Sequence, residues 1–203
     1  MQQLLTVLVL MGASVGVIIS LDGQTETTGD GVVILPFPKN GVTLSYICEF
    51  FEACGGRANL EGLTTTEVNE KHVKLMTAPF QSSFCDMLTR QQQPAVGVAT
   101  VFISHAWKYV FLEVIDALLH HFIDKPSTII WFDLFSNNQH KAVDLDFYWW
   151  STTFKSAIEQ FGHTVMVFAP WNDPIPLTRG WCLFELYCTV TTRSRFEVAM
   201  SDR

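Results

Sequence analysis

Charged side chains are scarce in this chain of 203 residues, at 16% of the sequence, whereas about 25% is usual for a soluble domain. Hydrophobic residues make up 48%, and phenylalanine alone occurs 16 times. The net charge is -7, and lysine and arginine nowhere form a cluster. Because nucleic-acid phosphates are held by clustered basic side chains, we expect no nucleic acid as a macromolecular partner.

Several familiar site signatures are also missing. The sequence has neither a G-x-G-x-x-G turn nor a P-loop, so it does not support ordinary dehydrogenase or kinase chemistry. No two of the five cysteines have C-x-x-C spacing, and we therefore expect reduced, buried thiols in a cytoplasmic protein rather than a disulfide framework. The histidines His120, His121 and His140 show no spacing typical of a metal site, so no metal is expected.

The first 21 residues carry no charged side chain. Their apolar run, LLTVLVLMGASVGVIISL, is long enough for a short membrane span or for the hydrophobic region of a signal peptide. No lysine or arginine precedes it, so the sequence specifies no orientation. Residues 1–21 therefore predict membrane association, a strand or helix packed on the domain, or the boundary of an incomplete gene model.

Residues 22–95 predict a linker followed by a mostly helical extension. Glycine and proline punctuate residues 22–41 around one short strand at 32–35. Apolar residues then recur at helical spacing in VTLSYICEFFEACGG, before a glycine pair that ends the helix. Thr64 and Glu67 have the spacing of a capping box and begin a second helix.

From residue 96 the pattern changes to buried strands that alternate with amphipathic helices. Strands are predicted at 96–104, 128–134, 164–169 and 196–200, and helices at about 107–122, 151–160 and 179–191. This order predicts an α/β domain over residues 96–203, with a parallel sheet of about four to five strands and helices on both faces.

The segment TVMVFAPWNDPIPLTRGWCLFELYCTV, residues 164–190, has the most informative pattern. A buried strand leads into a proline-rich loop, and Thr178 is the candidate N-cap of the last helix. Trp181 and Glu185, four residues apart, share one side of that helix. A second stripe is formed by Leu183, Leu186 and Val190. An aromatic ring and a carboxylate thus follow the C-terminal end of a strand, where open parallel sheets bind ligands.

Four motifs in this domain resemble the Toll/interleukin-1 receptor (TIR) family. They are TVFIS in the first strand, WFD at the end of the second, FKSAIEQ with TVMVF in the next helix and strand, and WCLFEL at residues 181–186. The last is similar to the tryptophan-cysteine-leucine-x-glutamate-leucine signature of plant-type TIR domains, and it fits the WxxxE pattern of TIR-like proteins. The resemblance covers residues 99–200, roughly half of the chain.

The resemblance implies a flavodoxin-like fold, a role in signal transduction, homotypic self-association and, in many members, cleavage of NAD at the nicotinamide-ribose bond. The catalytic glutamate of the family falls on Glu185, with Trp181 packing beside it, and NAD is then a substrate rather than a cofactor. The residues alone leave open that Glu185 is an exposed helix residue that complements the helix dipole. A non-catalytic TIR-like assembly module is the alternative function.

Six further residues are candidate contacts to NAD or a related nucleotide, and they are Ser104, His105, Trp107, Asp133, Asn137 and Trp171. The first three follow the first strand, where the family lines its nucleotide pocket. Structural alternatives stay open for the others: His105 can be a hydrogen bonder at a strand end, Asp133 and Asn137 can cap loops, and Trp171 can be a hydrophobic plug.

Two parts of the chain differ from the family pattern. Residues 135–150 lack the usual pattern of the loop that gates the family's site, although their aromatic cluster at 147–150, FYWW, is a candidate assembly surface. The family continues with a helix, a fifth strand and a final helix, whereas this chain stops at Arg203. We therefore expect a truncated C-terminus and an exposed sheet edge, which a partner or the N-terminal extension would cover.

Overall fold

The computed structural model describes residues 26–27, 33–34, 36–141, 150–172 and 174–200. Predictions for residues 1–21, and for most of the aromatic cluster at 147–150, lie outside the described residues. Two short strands, β1 (Glu26–Thr27) and β2 (Val33–Ile34), pair antiparallel, so the strand predicted at 32–35 is confirmed. Within the parts of the chain that the structure describes, no helix has the length and apolar character needed to cross a membrane.

Six strands form the main sheet. They are β3 (Asn40–Thr43), β4 (Val96–Val98), β5 (Val101–Ser104), β6 (Ile129–Trp131), β7 (His163–Phe168) and β8 (Arg195–Met200). Their order across the sheet is β4-β3-β6-β5-β7-β8. Strands β6, β5, β7 and β8 are parallel, whereas β3 runs antiparallel to β4 and β6. The α/β class is confirmed, with six strands in a mixed, mostly parallel sheet instead of four to five.

Seven α-helical segments surround this sheet in the described ranges. They are α1 (Tyr46–Ala53), α2 (65–77, whose middle, Asn69–Val73, is a π-helix), α3 (Phe84–Arg90), α4 (Phe111–His121), α5 (Asp133–Ser136), α6 (Lys155–Phe161) and α7 (Gly180–Thr191). The capping box of Thr64 and Glu67 begins α2, as the spacing predicts. Gly162, at φ +67°, ends α6, because a left-handed C-terminal position favours glycine.

Helices cover both faces of the sheet, as predicted. Successive side chains of a strand point to opposite faces of the sheet, so one strand can contribute apolar side chains to a core on each face. Val101 and Ile103 of β5 join a core shared with α1 and α4, whereas Phe102 joins a second core with α6 and α7. Phe102 stacks on Trp131 with ring centroids 4.9 Å apart. Helix α4, which follows β5, and helix α6, which precedes β7, thus lie on opposite faces, and the strand order reverses at β5.

The prediction of a mostly helical extension over residues 22–95 misses β3, which lies inside the sheet between β4 and β6. Val42 pairs with Ile130, and its side chain is in the same core as that of Val101. A Cβ on Gly41 would lie 2.0 Å from the carbonyl oxygen of Ile130, so this close approach requires glycine. The apolar residues of VTLSYICEFFEA have helical spacing, but the first of them pair with β6 as a strand, and α1 begins only at Tyr46.

The single strand predicted at 96–104 is two strands with different partners. β4 pairs with β3, whereas β5 pairs with β6 and β7. Between them, the Ala99 N–H donates to the Lys39 carbonyl oxygen at 2.9 Å, and the Thr100 N–H to that of Ile129 at 3.0 Å. The apolar run VGVATVFI continues across both strands, so hydrophobicity alone does not indicate the change of pairing partner, although β5 is buried and Val98 of β4 is 65% exposed.

The prediction that Thr178 caps the last helix is wrong. Thr178 ends a 3-10 turn, Ile175–Thr178, and its hydroxyl donates to the Ile175 carbonyl oxygen at 2.8 Å. Arg179 is the N-cap of α7, without a side-chain capping hydrogen bond. The helix turns its predicted apolar stripe outward, since Val190 is 65% exposed. Its opposite side, which includes Glu185, faces the sheet.

Candidate functional site

Glu185 lies in the middle of α7, with its side chain buried against the sheet at 5% exposure. One carboxylate oxygen accepts a hydrogen bond from the hydroxyl of Ser104, the last residue of β5. Trp181, one helical turn earlier, makes a second side-chain hydrogen bond to the same carboxyl group. The structure thus brings together Ser104, Trp181 and Glu185, and the interpretation of Glu185 as an exposed helix residue is wrong.

The environment of Glu185 favours its neutral form. Burial raises its pKa to about 8, the hydrogen bond from Ser104 opposes this rise, and the charge of Asp133 adds to it. The Trp181 hydrogen bond and the Arg179 charge act in the lowering direction. Glu185 is therefore mostly protonated at pH 7 and half-ionised near pH 8. Carboxyl groups perturbed in this way are concentrated at functional sites.

Residues that follow β5 and β6 form the other half of the site. The Trp107 indole N–H donates to one oxygen of Asp133, and His105 Nδ1 lies 3.7 Å from the other oxygen, Oδ1. His105 is only 5% exposed, and burial lowers its pKa, against the opposing charge of Asp133. Among the described residues, neither His105 Nε2 nor Asp133 Oδ1 has a hydrogen-bond partner. Buried polar atoms without partners are rare and require an explanation.

The two halves of the site meet because α7 packs across the C-terminal end of β5. The Cys182 thiol, in the first turn of α7, donates to the His105 carbonyl oxygen at 3.7 Å. Further along, the Thr189 hydroxyl donates to that of Thr164 in β7 at 2.9 Å. The His105 ring packs on Phe132, with centroids 4.5 Å apart. Side chains from β5, β6 and α7 are therefore held in one buried cluster.

Arg179 is a member of this cluster that no motif identified. It is half-buried at the N-cap of α7. Burial raises the pKa of Glu185 and Cys182 and lowers that of His105, and the Arg179 charge opposes the two rises and adds to the fall. Within the described part of the chain it forms no ion pair. Its place directly before GWCLFE is the only sequence signal that could have drawn attention to it.

The two remaining predicted contacts are Trp171 and Asn137. Trp171 is 62% exposed in the loop after β7, which contradicts its interpretation as a hydrophobic plug. Asn137 ends α5, where its backbone N–H donates to the Asp133 carbonyl oxygen at 3.1 Å. No hydrogen bond or ring contact in the described ranges joins Trp171 or the Asn137 side chain to Glu185.

A second polar cluster lies at the N-terminal ends of the parallel strands, beside a cavity of about 480 Å³. Glu197 Oε2 lies 2.7 Å from His163 Nε2 and 3.2 Å from His121 Nε2, and Arg195 pairs with the other carboxylate oxygen. No group of three His, Cys, Asp or Glu side chains in the described residues is arranged to hold a metal ion. The five cysteines form no disulfide in the described residues; four of them are buried, as predicted, but Cys48 is exposed, so the prediction of a buried thiol is wrong there.

Comparison with known proteins gives no match. No family model matches the chain, and neither a curated protein nor a solved structure matches it. The resemblance to TIR domains therefore stays a prediction from the sequence motifs.

Proposed function

We propose that this chain is a cytoplasmic TIR-like signalling domain that cleaves NAD, or a related nucleotide, at the nicotinamide-ribose bond, with Glu185 as the catalytic carboxylate. The observation that carries the proposal is the buried carboxyl group of Glu185, which accepts a hydrogen bond from the Ser104 hydroxyl at the C-terminal end of β5 and whose pKa burial raises to about 8. The free cysteines are in keeping with a reducing compartment.

The position of the cluster supports this function. In a flavodoxin-like sheet, the first strand has the second strand on one side and the third on the other, and ligands bind where the order reverses. The parallel strands here follow that order, β6-β5-β7-β8. Ser104 ends β5 at the reversal, and Asp133 follows β6.

The chemistry requires little beyond electrostatic stabilisation, because nicotinamide is already a good leaving group. It departs with the electron pair of the bond to ribose, and positive charge develops on the sugar. Ionised Glu185 stabilises that charge and accepts hydrogen bonds from the ribose hydroxyls. Ser104 and Trp181 hold the carboxylate in place, and Trp107 orients Asp133. Water adds to the anomeric carbon, which yields nicotinamide, ADP-ribose and a proton.

The test follows nicotinamide release from NAD by the full chain, at high protein concentration and at pH 7 and 8.5. Wild type should release nicotinamide, whereas Glu185→Ala and Glu185→Gln should lose at least about a hundredfold in rate. Glu159→Gln removes an exposed carboxylate of α6 and serves as the matched control. Equal rates for wild type and Glu185→Gln, or no release by folded wild type at either pH, would overturn the proposal.

A non-catalytic assembly module is the second candidate function. The burial of Glu185 and Ser104, at 5% and 0% exposure, favours it, because NAD reaches the carboxylate only if the site opens. Strand β8 also lies at the sheet edge, with Phe196 and Met200 39% and 51% exposed. An assembly module should self-associate in sedimentation velocity, equally well with Glu185 or Gln at this position, and should leave NAD intact in the assembled state.

A further inference from the structure

The first turn of α2 is hydrogen-bonded to the loop that connects β5 to α4. The N–H and the hydroxyl of Thr66 both donate to the carbonyl oxygen of Trp107, at 3.2 and 3.3 Å. The Thr65 N–H donates to the carbonyl oxygen of Tyr109 at 3.1 Å. The first N–H groups of an α-helix have no acceptor within the helix, so the loop supplies the acceptors that α2 lacks.

The chain around these bonds extends the attachment. Thr64 forms an antiparallel bridge with Val110, and the Phe111 N–H donates to the Leu63 carbonyl oxygen at 2.8 Å. The capping box fixes the start of the helix, because the Thr64 N–H donates to a Glu67 carboxylate oxygen at 2.8 Å. The start of α2 and the loop after β5 are therefore one hydrogen-bonded unit.

The Trp107 side chain connects this unit to the candidate site. Its indole N–H donates to Asp133, whose other oxygen lies 3.7 Å from His105 Nδ1. The charge of Asp133 also acts on Glu185, where it favours the neutral carboxyl group. The position of Trp107 therefore influences where the Asp133 charge lies relative to Glu185.

The other end of α2 contacts the loop that follows α5. The Thr77 hydroxyl oxygen lies 2.7 Å from His140 Nε2. Just beyond the helix, the Asn138 side-chain amide donates to the Gln81 carbonyl oxygen at 2.8 Å. The π-helical middle of α2 lies against α5, which begins at Asp133. Helix α2 thus joins the two connections, after β5 and after β6, that carry half of the site.

We propose that α2, in the extension of residues 22–95, is a positioning element of the candidate site, and that Thr66 is the residue through which it positions Trp107. This inference rests on the proposed function and deepens it, because it names the part of the chain that controls the site. Loosening the attachment at Thr66 displaces Trp107 and the Asp133 carboxylate that it holds. No group that contacts the substrate is removed.

Three variants of the full chain isolate the Thr66 hydroxyl. Thr66→Val keeps the branched shape of the side chain and removes only the hydroxyl that donates to Trp107. Thr66→Ser keeps a hydroxyl and tests for rescue. Thr89→Val is the matched control, since Thr89 is also exposed and its hydroxyl donates at 2.9 Å to the Cys85 carbonyl oxygen within α3.

The first measurement requires no turnover. In nitrogen–proton correlation spectra, the indole N–H resonance of Trp107, assigned from its loss in Trp107→Phe, reports the hydrogen bond to Asp133. Thr66→Val should move this resonance upfield because the hydrogen bond weakens, whereas Thr66→Ser and Thr89→Val should leave it at the wild-type position. A Trp107 resonance that is the same in Thr66→Val and in wild type would overturn the inference.

The second measurement is nicotinamide release from NAD. Thr66→Val should lower the rate by about threefold to tenfold, and Thr66→Ser should restore most of it. In a Trp107→Phe background, Thr66→Val should cause no further loss, because Thr66 acts through the indole. Additive losses in the double variant, or an equal loss in Thr89→Val, would show a general loss of stability and refute the positioning role.

The two measurements separate this inference from the proposed function. If folded wild type releases no nicotinamide, the proposed function fails, and the Trp107 resonance alone decides whether Thr66 positions Trp107. If wild type cleaves NAD and Thr66→Val does so at the same rate, the proposed function stands and the control of the site by α2 is wrong.

Discussion

Glu185→Gln should change how the stability of the fold depends on pH. Burial raises the pKa of Glu185 from an ordinary value of 4.5 to about 8. Between these values the folded protein keeps a proton that the unfolded chain has lost, so the free energy of unfolding falls as the pH rises through this window. The loss is about 1.4 kcal/mol per pH unit and approaches about 5 kcal/mol at pH 8 and above. Below pH 4.5 the group contributes no such loss.

Glutamine has nearly the shape of glutamic acid and keeps an oxygen that accepts the Ser104 hydrogen bond, but it cannot ionise. The variant should therefore match wild type, or be slightly less stable, at pH 5, and it should be about 3–5 kcal/mol more stable at pH 8.5. Urea unfolding followed by tryptophan fluorescence measures this difference at each pH. All other side chains are identical in the two proteins, so their contributions cancel in the comparison.

Glu159→Gln, on the surface of α6, is the control and should follow wild type at every pH. A stability difference between Glu185→Gln and wild type that stays constant from pH 5 to pH 9 would refute the reasoning. It would mean that the carboxyl group of Glu185 titrates near its ordinary pKa and that burial does not penalise its charge.

Three other predictions concern catalysis, packing and the second polar cluster. If ionised Glu185 is the catalytic form, nicotinamide release should rise about tenfold per pH unit below pH 8 and then level off; a flat profile between pH 6 and pH 9 would contradict this role. Phe184→Ala should lower the free energy of unfolding, measured by urea unfolding, by about 3–4 kcal/mol, because Phe184 is only 7% exposed. Val190→Ala is the control: Val190 is 65% exposed, so this change should lower the free energy of unfolding by less than about 0.5 kcal/mol. Although burial opposes it, hydrogen bonds from Arg195, His121 and His163 lower the pKa of Glu197 to about 2. The contribution of Glu197 to the free energy of unfolding is present above pH 4.5 and is lost as the pH falls towards 2. Glu197→Gln should therefore lower the free energy of unfolding by about 2–3 kcal/mol at pH 7 and by little at pH 2. Equal losses at both pH values would show that Glu197 does not titrate in this way.

Much of the sheet could be predicted from the sequence because buried parallel strands have continuous apolar runs. The runs around Ile103, Ile130 and Val165 all correspond to observed strands. β3 escaped prediction because its four residues, NGVT, are too short to show a period, and their pairing with β6 involves residues far away in the sequence. Only long-range contacts decide such a strand.

The candidate site was predictable where a motif or a strand end marked it. Ser104, His105, Trp107 and Asp133 follow strands β5 and β6, whose C-terminal ends meet at one edge of a parallel sheet. Arg179 was missed because an arginine before a helix is common, and its importance depends on what packs around it. Trp171 has the right chemistry for stacking on a base, but its loop leaves it 62% exposed.

The sequence by itself determined which residues of α7 share a side of the helix, since 3.6 residues per turn place Trp181 beside Glu185 and Leu183 beside Val190. It did not determine which side turns inward. Hydrophobicity alone would have buried the leucine and valine stripe and exposed the carboxylate. Only the tertiary structure decided the reverse, because packing of Phe184 and Cys188 in the core with Phe102, and the hydrogen bond from Ser104, orient the helix with Glu185 against the sheet.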